Sequence, residues 1–265
     1  MRNPNQTVGM VGFGVMGQFM AEHMLADNEI LAHDPAVDRT DLSNVELTDM
    51  SHVAAADTII LATPAGVLPE VMKRLHREMP PLADPLLVEI SSVKRFGADI
   101  MERCWGDGDR LMCHPLFGPE SAKKSLVGHR LIVTETIGDR AEELVERWRS
   151  LGLKVIPMSA EEHDAQMAGV QAMPFLLGRI AGTLTMDDSP SLQTPSRLAV
   201  RKLEWLDSVQ SEELFRTMIE FNPAAHDVVE RMGKIIDSLR QQLATSPAHA
   251  LFAENARVLE AGRQA

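Results

Sequence analysis

His114 stands in Leu111-Met112-Cys113-His114-Pro115-Leu116-Phe117-Gly118-Pro119-Glu120, where an apolar run ends in an imidazole followed by a loop locked by two prolines and a glycine. An imidazole of ordinary pKa, about 6.5, can take a proton from a hydroxyl near neutral pH, so His114 reads as a general base. Ser91-Ser92-Val93-Lys94 follows another apolar run in the same way. Ser92 offers a hydroxyl that could orient the imidazole or a substrate hydroxyl, and it could also cap the next helix. Lys94 offers a charge to a carboxylate. His163, in Ser159-Ala160-Glu161-Glu162-His163-Asp164, carries less weight and reads as a surface or interdomain residue. No His/Cys/Asp/Glu grouping has metal-ligand spacing, so no metal is expected. No serine-hydrolase elbow is present either.

A second constellation is Gly12-Phe13-Gly14-Val15-Met16-Gly17, placed directly after the apolar run Val8-Gly9-Met10-Val11 and opening a helix. In this G-x-G-x-x-G pattern the first glycine permits a tight turn. The second lets backbone approach a pyrophosphate, and the third lets helix and strand pack closely. The helix N-terminus then turns free N–H groups toward phosphate. Asp34, in Ile30-Leu31-Ala32-His33-Asp34-Pro35, lies where a carboxylate would receive the ribose 2′-hydroxyl and repel a 2′-phosphate. That favours NAD over NADP, unless Arg39 reaches the pocket; the alternative for Asp34 is a helix cap. Thr63, Pro64 and Ser91, each just behind a strand, are assigned to the wall of the cofactor cleft.

These residues need strands to carry them. Apolar runs at 8–11, 29–32, 58–62, 86–90, 111–114 and 130–134 read as strands, with helical stretches at 18–26, 67–78, 95–104 and 140–151 between them. Such alternation predicts an α/β fold, a Rossmann-type parallel sheet covered on both faces, with ligands at the carboxyl ends of its strands. After residues 154–157 the pattern changes. Met167, Val170, Gln171, Phe175 and Leu176, then Leu214, Met218 and Phe221, recur at helical spacing, and residues 187–195 break the helices once. The expected division is a dinucleotide-binding domain over 1–158 and an all-helical C-terminal domain over 159–265. The helical half has more apolar faces than one layer over a sheet needs, so a homodimer through it is expected.

Composition sets the outer limits. The 265 residues are 45% apolar and 24% charged, ordinary for a globular protein. The net charge of -12 argues against nucleic-acid or acidic-membrane partners and leaves room for a small carboxylate substrate in a local pocket. Two lone cysteines, Cys104 and Cys113, fit a reducing compartment. No apolar run approaches the roughly 20 residues that span a bilayer, and residues 1–7 lack the order of a signal peptide. The expected location is cytoplasmic.

The chain resembles the prephenate/arogenate dehydrogenase family of tyrosine biosynthesis. The resemblance is carried by Gly12 to Gly17, by Ser92-Val93-Lys94, by His114-Pro115-Leu116-Phe117-Gly118-Pro119-Glu120-Ser121, and by Ser159 to Asp164 running into Gln171. It implies a Rossmann domain, a helical dimerisation domain and a substrate cleft between them. It implies that His114 accepts the proton of a ring 4-hydroxyl while hydride passes to the nicotinamide and CO2 leaves. Two positions depart from the family pattern. Phe175 stands where many members carry a histidine, and Trp205-Leu206 where an arginine grips the ring carboxylate. Arg197 matches the family, and Arg201, four residues on and on the same helical face, is expected to replace the missing arginine. Gln171 supplies a neutral donor. Two other readings stay open. A β-hydroxyacid dehydrogenase also suits the glycine pattern, but residues 161–182 lack the lysine it would use. A non-catalytic NAD-binding regulator is the other.

Overall fold

The computed structural model describes residues 6–184 and 193–246. Eight strands form one sheet in the order β3-β2-β1-β4-β5-β6-β7-β8. They are β1 (Val8–Val11), β2 (Ile30–His33), β3 (Val45–Leu47), β4 (Thr58–Leu61), β5 (Leu86–Glu89), β6 (Arg110–Pro115), β7 (Arg130–Ile137) and β8 (Lys154–Pro157). The helices accompanying the sheet are α1 (Val15–His23), α2 (Met50–Val53), α3 (Leu68–Glu78), α4 (Lys94–Trp105), α5 (Pro119–Ala122) and α6 (Asp139–Ser150). The first six strands run parallel, and the order reverses between β1 and β4, which opens a crevice at their carboxyl ends.

Both faces of the sheet are covered. Met10, Ile60, Val88, Leu111 and Leu131 pack with Phe19 and Met20 of α1 and Trp148 of α6 on one side. Val11, Ile59, Leu61, Leu87 and Met112 pack with Met72 of α3 and Met101 of α4 on the other. Central strands that are apolar on both faces are why β1, β4 and β5 read as continuous hydrophobic runs.

The sheet departs from the expected all-parallel form at one edge. β7 is antiparallel to β6, and β8 is parallel to β7. The segment after His114 does not cross back over the sheet. Leu116 donates its N–H to the Arg130 carbonyl at 2.9 Å, and Phe117, Ala122 and Leu126 plug into the core. The chain therefore re-enters from the same end. The sheet also gains a three-residue edge strand, β3, whose Val45-Glu46-Leu47 is too short to show a period in sequence.

Beyond the sheet the described residues are helical: α7 (Ala160–Met167), a π-turn at Ala168–Ala172, α8 (Met173–Thr183), α9 (Pro195–Val209), α10 (Glu212–Glu220) and α11 (Pro223–Ala244). Ala168, Ala172, Phe175, Met218, Ala225 and Val228 form their core. The π-turn adds a residue to one turn and shifts the stripe, so Val170 is 67% exposed instead of buried. The expected break at 187–195 lies mostly outside the described residues; Pro195 opens α9. No helix among the described residues is long and apolar enough to cross a membrane.

Candidate active site

The glycine loop joins β1 to α1. Gly12 has φ +91°, and a Cβ there would meet the Ala62 carbonyl oxygen at 2.5 Å, so only glycine makes this turn. A Cβ on Gly17 would meet the Gly12 carbonyl oxygen at 2.6 Å, which is the close helix–loop packing expected of the third glycine. At Gly14 a Cβ would meet nothing within 4 Å: this side of the loop is open. Phe13 is buried, its N–H given to Asp34 and its carbonyl accepting from Gln18 Nε2 at 3.0 Å, while Val15 is exposed and Met16 half-buried at the start of α1.

Asp34 follows β2, and its carboxylate receives the N–H of Phe13 and the N–H of Ala36, each at 2.8 Å. It thus ties the loop to β2 and keeps lone pairs for further donors. Thr63, behind β4, has a buried hydroxyl oxygen that lacks a partner, and its methyl lies beside Gly12. A tight turn, an open face, a carboxylate and an orphaned hydroxyl together fit a dinucleotide. Pro64 caps the short turn at Ala65–Val67. Ser91 is turned inward instead: its hydroxyl donates to the Val93 carbonyl at 2.9 Å and its N–H to Glu89 Oε1 at 2.7 Å.

His114 lies near the carboxyl end of β6, 5% exposed. Just before it the pairing with β7 slips between Met112 and Cys113, an irregularity of the kind that re-aims side chains beside sites. Its Nδ1 lies 2.9 Å from Nε2 of His163, the rings meeting edge-on at 72°. Nδ1 of His163 lies 2.8 Å from Asp164 Oδ1. Nε2 of His114 takes no protein partner among the described residues. Burial, then the neighbouring His163 and the charge of Lys94, holds the His114 pKa well below 6.5, so the ring is neutral at pH 7.

His163 is fully buried, which sets aside the surface reading and leaves the interdomain one, since it joins α7 to His114 of β6. The α7 capping box, Ser159 Oγ with the Glu162 N–H at 3.1 Å and Glu162 Oε2 with the Ser159 N–H at 2.9 Å, starts the helix so that His163 and Asp164 face inward. The signal was present in the sequence: they stand four residues before Met167 and Ala168, on the buried stripe.

Asp164 also takes the helix-capping role considered for Ser92. Its Oδ1 receives the Lys94 N–H at 2.8 Å and its Oδ2 the Arg95 N–H at 2.9 Å, across a gap of 70 and 69 residues in sequence. The N-cap of α4 is Val93. Ser92, half-buried, therefore keeps its hydroxyl free of partners among the described residues.

Lys94 is not turned toward a substrate. Its side chain is fully buried, and Nζ is held by Glu89 Oε2 and by the Cys113 carbonyl at 2.7 Å. The reason is Glu89, a carboxylate in an otherwise apolar strand that must find a cation when buried. Gln171, on the π-turn, has a buried side-chain oxygen without a partner. Arg197 pairs with Glu204 at 2.8 Å on α9, and Arg201 is exposed on the same helix. α9 lies against α8, where a Cβ on Gly178 would meet the Leu203 carbonyl, and among the described residues no bond joins either arginine to the His114 cluster.

The family model described as the nucleotide-binding domain of prephenate dehydrogenase matches residues 22–156, about half of the chain, including Ser92 and His114. Arogenate dehydrogenase 2 of Arabidopsis thaliana is 28% identical over 255 residues, covering 89% of this chain and 69% of that protein. A 4-amino-4-deoxyprephenate dehydrogenase of Streptomyces pristinaespiralis is 29% identical over 217 residues, 78% of this chain and 72% of the relative. In fold, the chain is similar to prephenate dehydrogenase of Aquifex aeolicus, solved with hydroxyphenyl propionate and NAD+. The TM-score is 0.69 at 20% identity, over 97% of this chain and 98% of that one.

Proposed function

The chain belongs to the prephenate dehydrogenase family, and on that premise we propose that it is an NAD-dependent oxidoreductase that decarboxylates a cyclohexadienyl carboxylic acid. One observation carries the reading: a buried, neutral His114 with an unpartnered Nε2 near the carboxyl end of a strand, in the sheet whose first turn is the glycine loop. His114 accepts the proton of the ring hydroxyl at Nε2, and Ser92 orients that hydroxyl. The dinucleotide supplies the hydride acceptor. Gly12 to Gly17 seat its pyrophosphate, Asp34 its ribose, and Thr63 and Pro64 line its path. Loss of CO2 then leaves an aromatic ring, which makes the step effectively irreversible.

Gln171, Arg197 and Arg201 are assigned to the substrate's carboxylates. Their support is the side-chain amide of Gln171, whose N–H groups can donate to a carboxylate, and the single helix shared by two arginines four apart. The assignment requires Arg197 to exchange Glu204 for the substrate.

The helical half joins two copies of the chain. Ile235, Ile236, Leu239 and Leu243 form an apolar stripe on the outer part of α11, each at least 48% exposed. Leu177, Ile180 and Trp205 add exposed apolar surface on α8 and α9.

The test is NADH production in a screen of prephenate, arogenate and 4-amino-4-deoxyprephenate, with light scattering on the same samples. Turnover of one of the three by a dimer is expected. Binding of NAD without turnover of any would favour the regulator.

A further inference from the structure

We propose that His163 and Asp164 are positioning residues that fix His114 in the tautomer bearing its proton on Nδ1, which leaves Nε2 as a bare base. The inference rests on the reading of His114 as base and adds what makes it one.

It follows from counting protons along three groups. Asp164 sits on the N-terminus of α4 with two backbone N–H donors, from Lys94 and Arg95, at 2.8 and 2.9 Å. Both carboxylate oxygens are thus acceptors, and Oδ1, which takes the Lys94 N–H, is also the atom that His163 meets. The 2.8 Å contact is therefore a hydrogen bond donated by His163 Nδ1–H. A neutral imidazole carries one N–H, so Nε2 of His163 is bare. Facing it at 2.9 Å is Nδ1 of His114, which must therefore donate. The other tautomer would set two bare nitrogens against each other at hydrogen-bond distance. His114, neutral in its buried place, has then spent its one proton on Nδ1.

The same chain serves after proton transfer. The His114 imidazolium keeps its Nδ1–H bond to His163, whose ring is polarised by Asp164, so the new charge is held without either partner moving. Among the titratable groups, His163 and Lys94 act on the ring directly, Asp164 meets it through His163, and Lys94 closes on Glu89. The dyad is braced from the helical half as well. Asn222, fully buried, donates Nδ2–H to the Asp164 carbonyl at 2.9 Å, and the ring of the adjacent Phe221 packs at a tilt on Phe96 of α4, centroids 4.6 Å apart.

The experiment uses 15N-labelled full-length protein at pH 7.5, reading imidazole tautomers by long-range proton–nitrogen correlation, with steady-state kinetics beside it. In the wild type, His114 should show a protonated Nδ1 and a bare Nε2, with no substrate needed. His163→Leu removes the acceptor; the tautomer should mix or reverse and kcat fall about 10-fold or more, KM changing little. His163→Gln restores a neutral acceptor and should recover both the tautomer and most of kcat. Asp164→Asn can offer an N–H to His163 and so invert both rings; by analogy with the Asp→Asn change in a serine-protease triad, kcat should fall by about 10³-fold or more. If Asp164→Asn fails to fold, the two His163 variants decide. An Nε2–H tautomer in wild-type His114, or unchanged tautomer and kcat in His163→Leu, overturns the proposal. A wild type with the expected tautomer but no turnover of any cyclohexadienyl acid supports the positioning and defeats the proposed reaction instead.

Discussion

Lys94 and Glu89 form an ion pair beneath the site, with side chains 0% and 1% exposed and the Cys113 carbonyl completing the ammonium's shell. The pair ties the first turn of α4 to the ends of β5, which leads into Ser92, and β6, which carries His114. Removing one partner strands a buried charge, which typically costs about 3–5 kcal/mol, whereas replacing both by apolar groups is often neutral. Lys94→Met should therefore lower stability by that amount in urea unfolding, and Lys94→Met with Glu89→Leu should recover most of it. Unchanged stability with a strongly raised KM would return Lys94 to the substrate.

The two thiols should differ sharply. Cys113 is fully buried, and burial pushes its pKa up to about 12, whereas Cys104 is partly exposed on α4. Because thiolate is the reactive form, a disulfide reagent at pH 8 should titrate Cys104 in the native protein and Cys113 only after denaturation. Comparable rates for both would mean that the β6 end opens readily.

His114 links folding to pH. In the unfolded chain it titrates near pH 6.5; in the folded protein burial holds its pKa well below that. Between the two values the unfolded state binds the extra proton. The stability is full above about pH 6.5 and is lost as pH falls below it, at up to about 1.4 kcal/mol per pH unit. Urea midpoints at pH 7.5 and 5.5 should separate less in His114→Phe than in the wild type. The acid limb of kcat/KM should likewise lie below pH 6.5, and a limb above it would contradict a depressed pKa.

Asp34 should set cofactor preference. Its carboxylate stands beside the loop, bonded to Phe13 and Ala36, where a 2′-phosphate would be repelled. The wild type should have the higher kcat/KM with NAD, and Asp34→Ser should narrow the gap. A wild type that prefers NADP would move the choice to Arg39.

Local patterns made much of this readable. β1, β4 and β5 are apolar on both faces, and the glycine loop is bounded by its strand and helix, so the Rossmann half and Gly12 to Gly17 could be placed from order alone. The antiparallel turn of β7 was not readable, since it depends on where Phe117 and Leu126 find core to fill. The burial of Lys94 was not legible, since it depends on Glu89, a carboxylate inside an apolar run whose partner only the fold decides. The Asp164 cap on α4 joins positions about 70 residues apart, and only the fold brings them together. The His163 stripe position was legible, but the π-turn that shifts Val170 outward blurred the period around it.

The most direct test of the account is His114→Asn, assayed for NADH formation with whichever cyclohexadienyl acid the wild type turns over. Removal of the proposed base should lower kcat by about 10²-fold or more, while the Kd for NAD, which we assign to the glycine loop and Asp34, stays within about twofold. Turnover within a few-fold of the wild type, with NAD binding intact, would show that His114 is not the proton acceptor and that the site works another way.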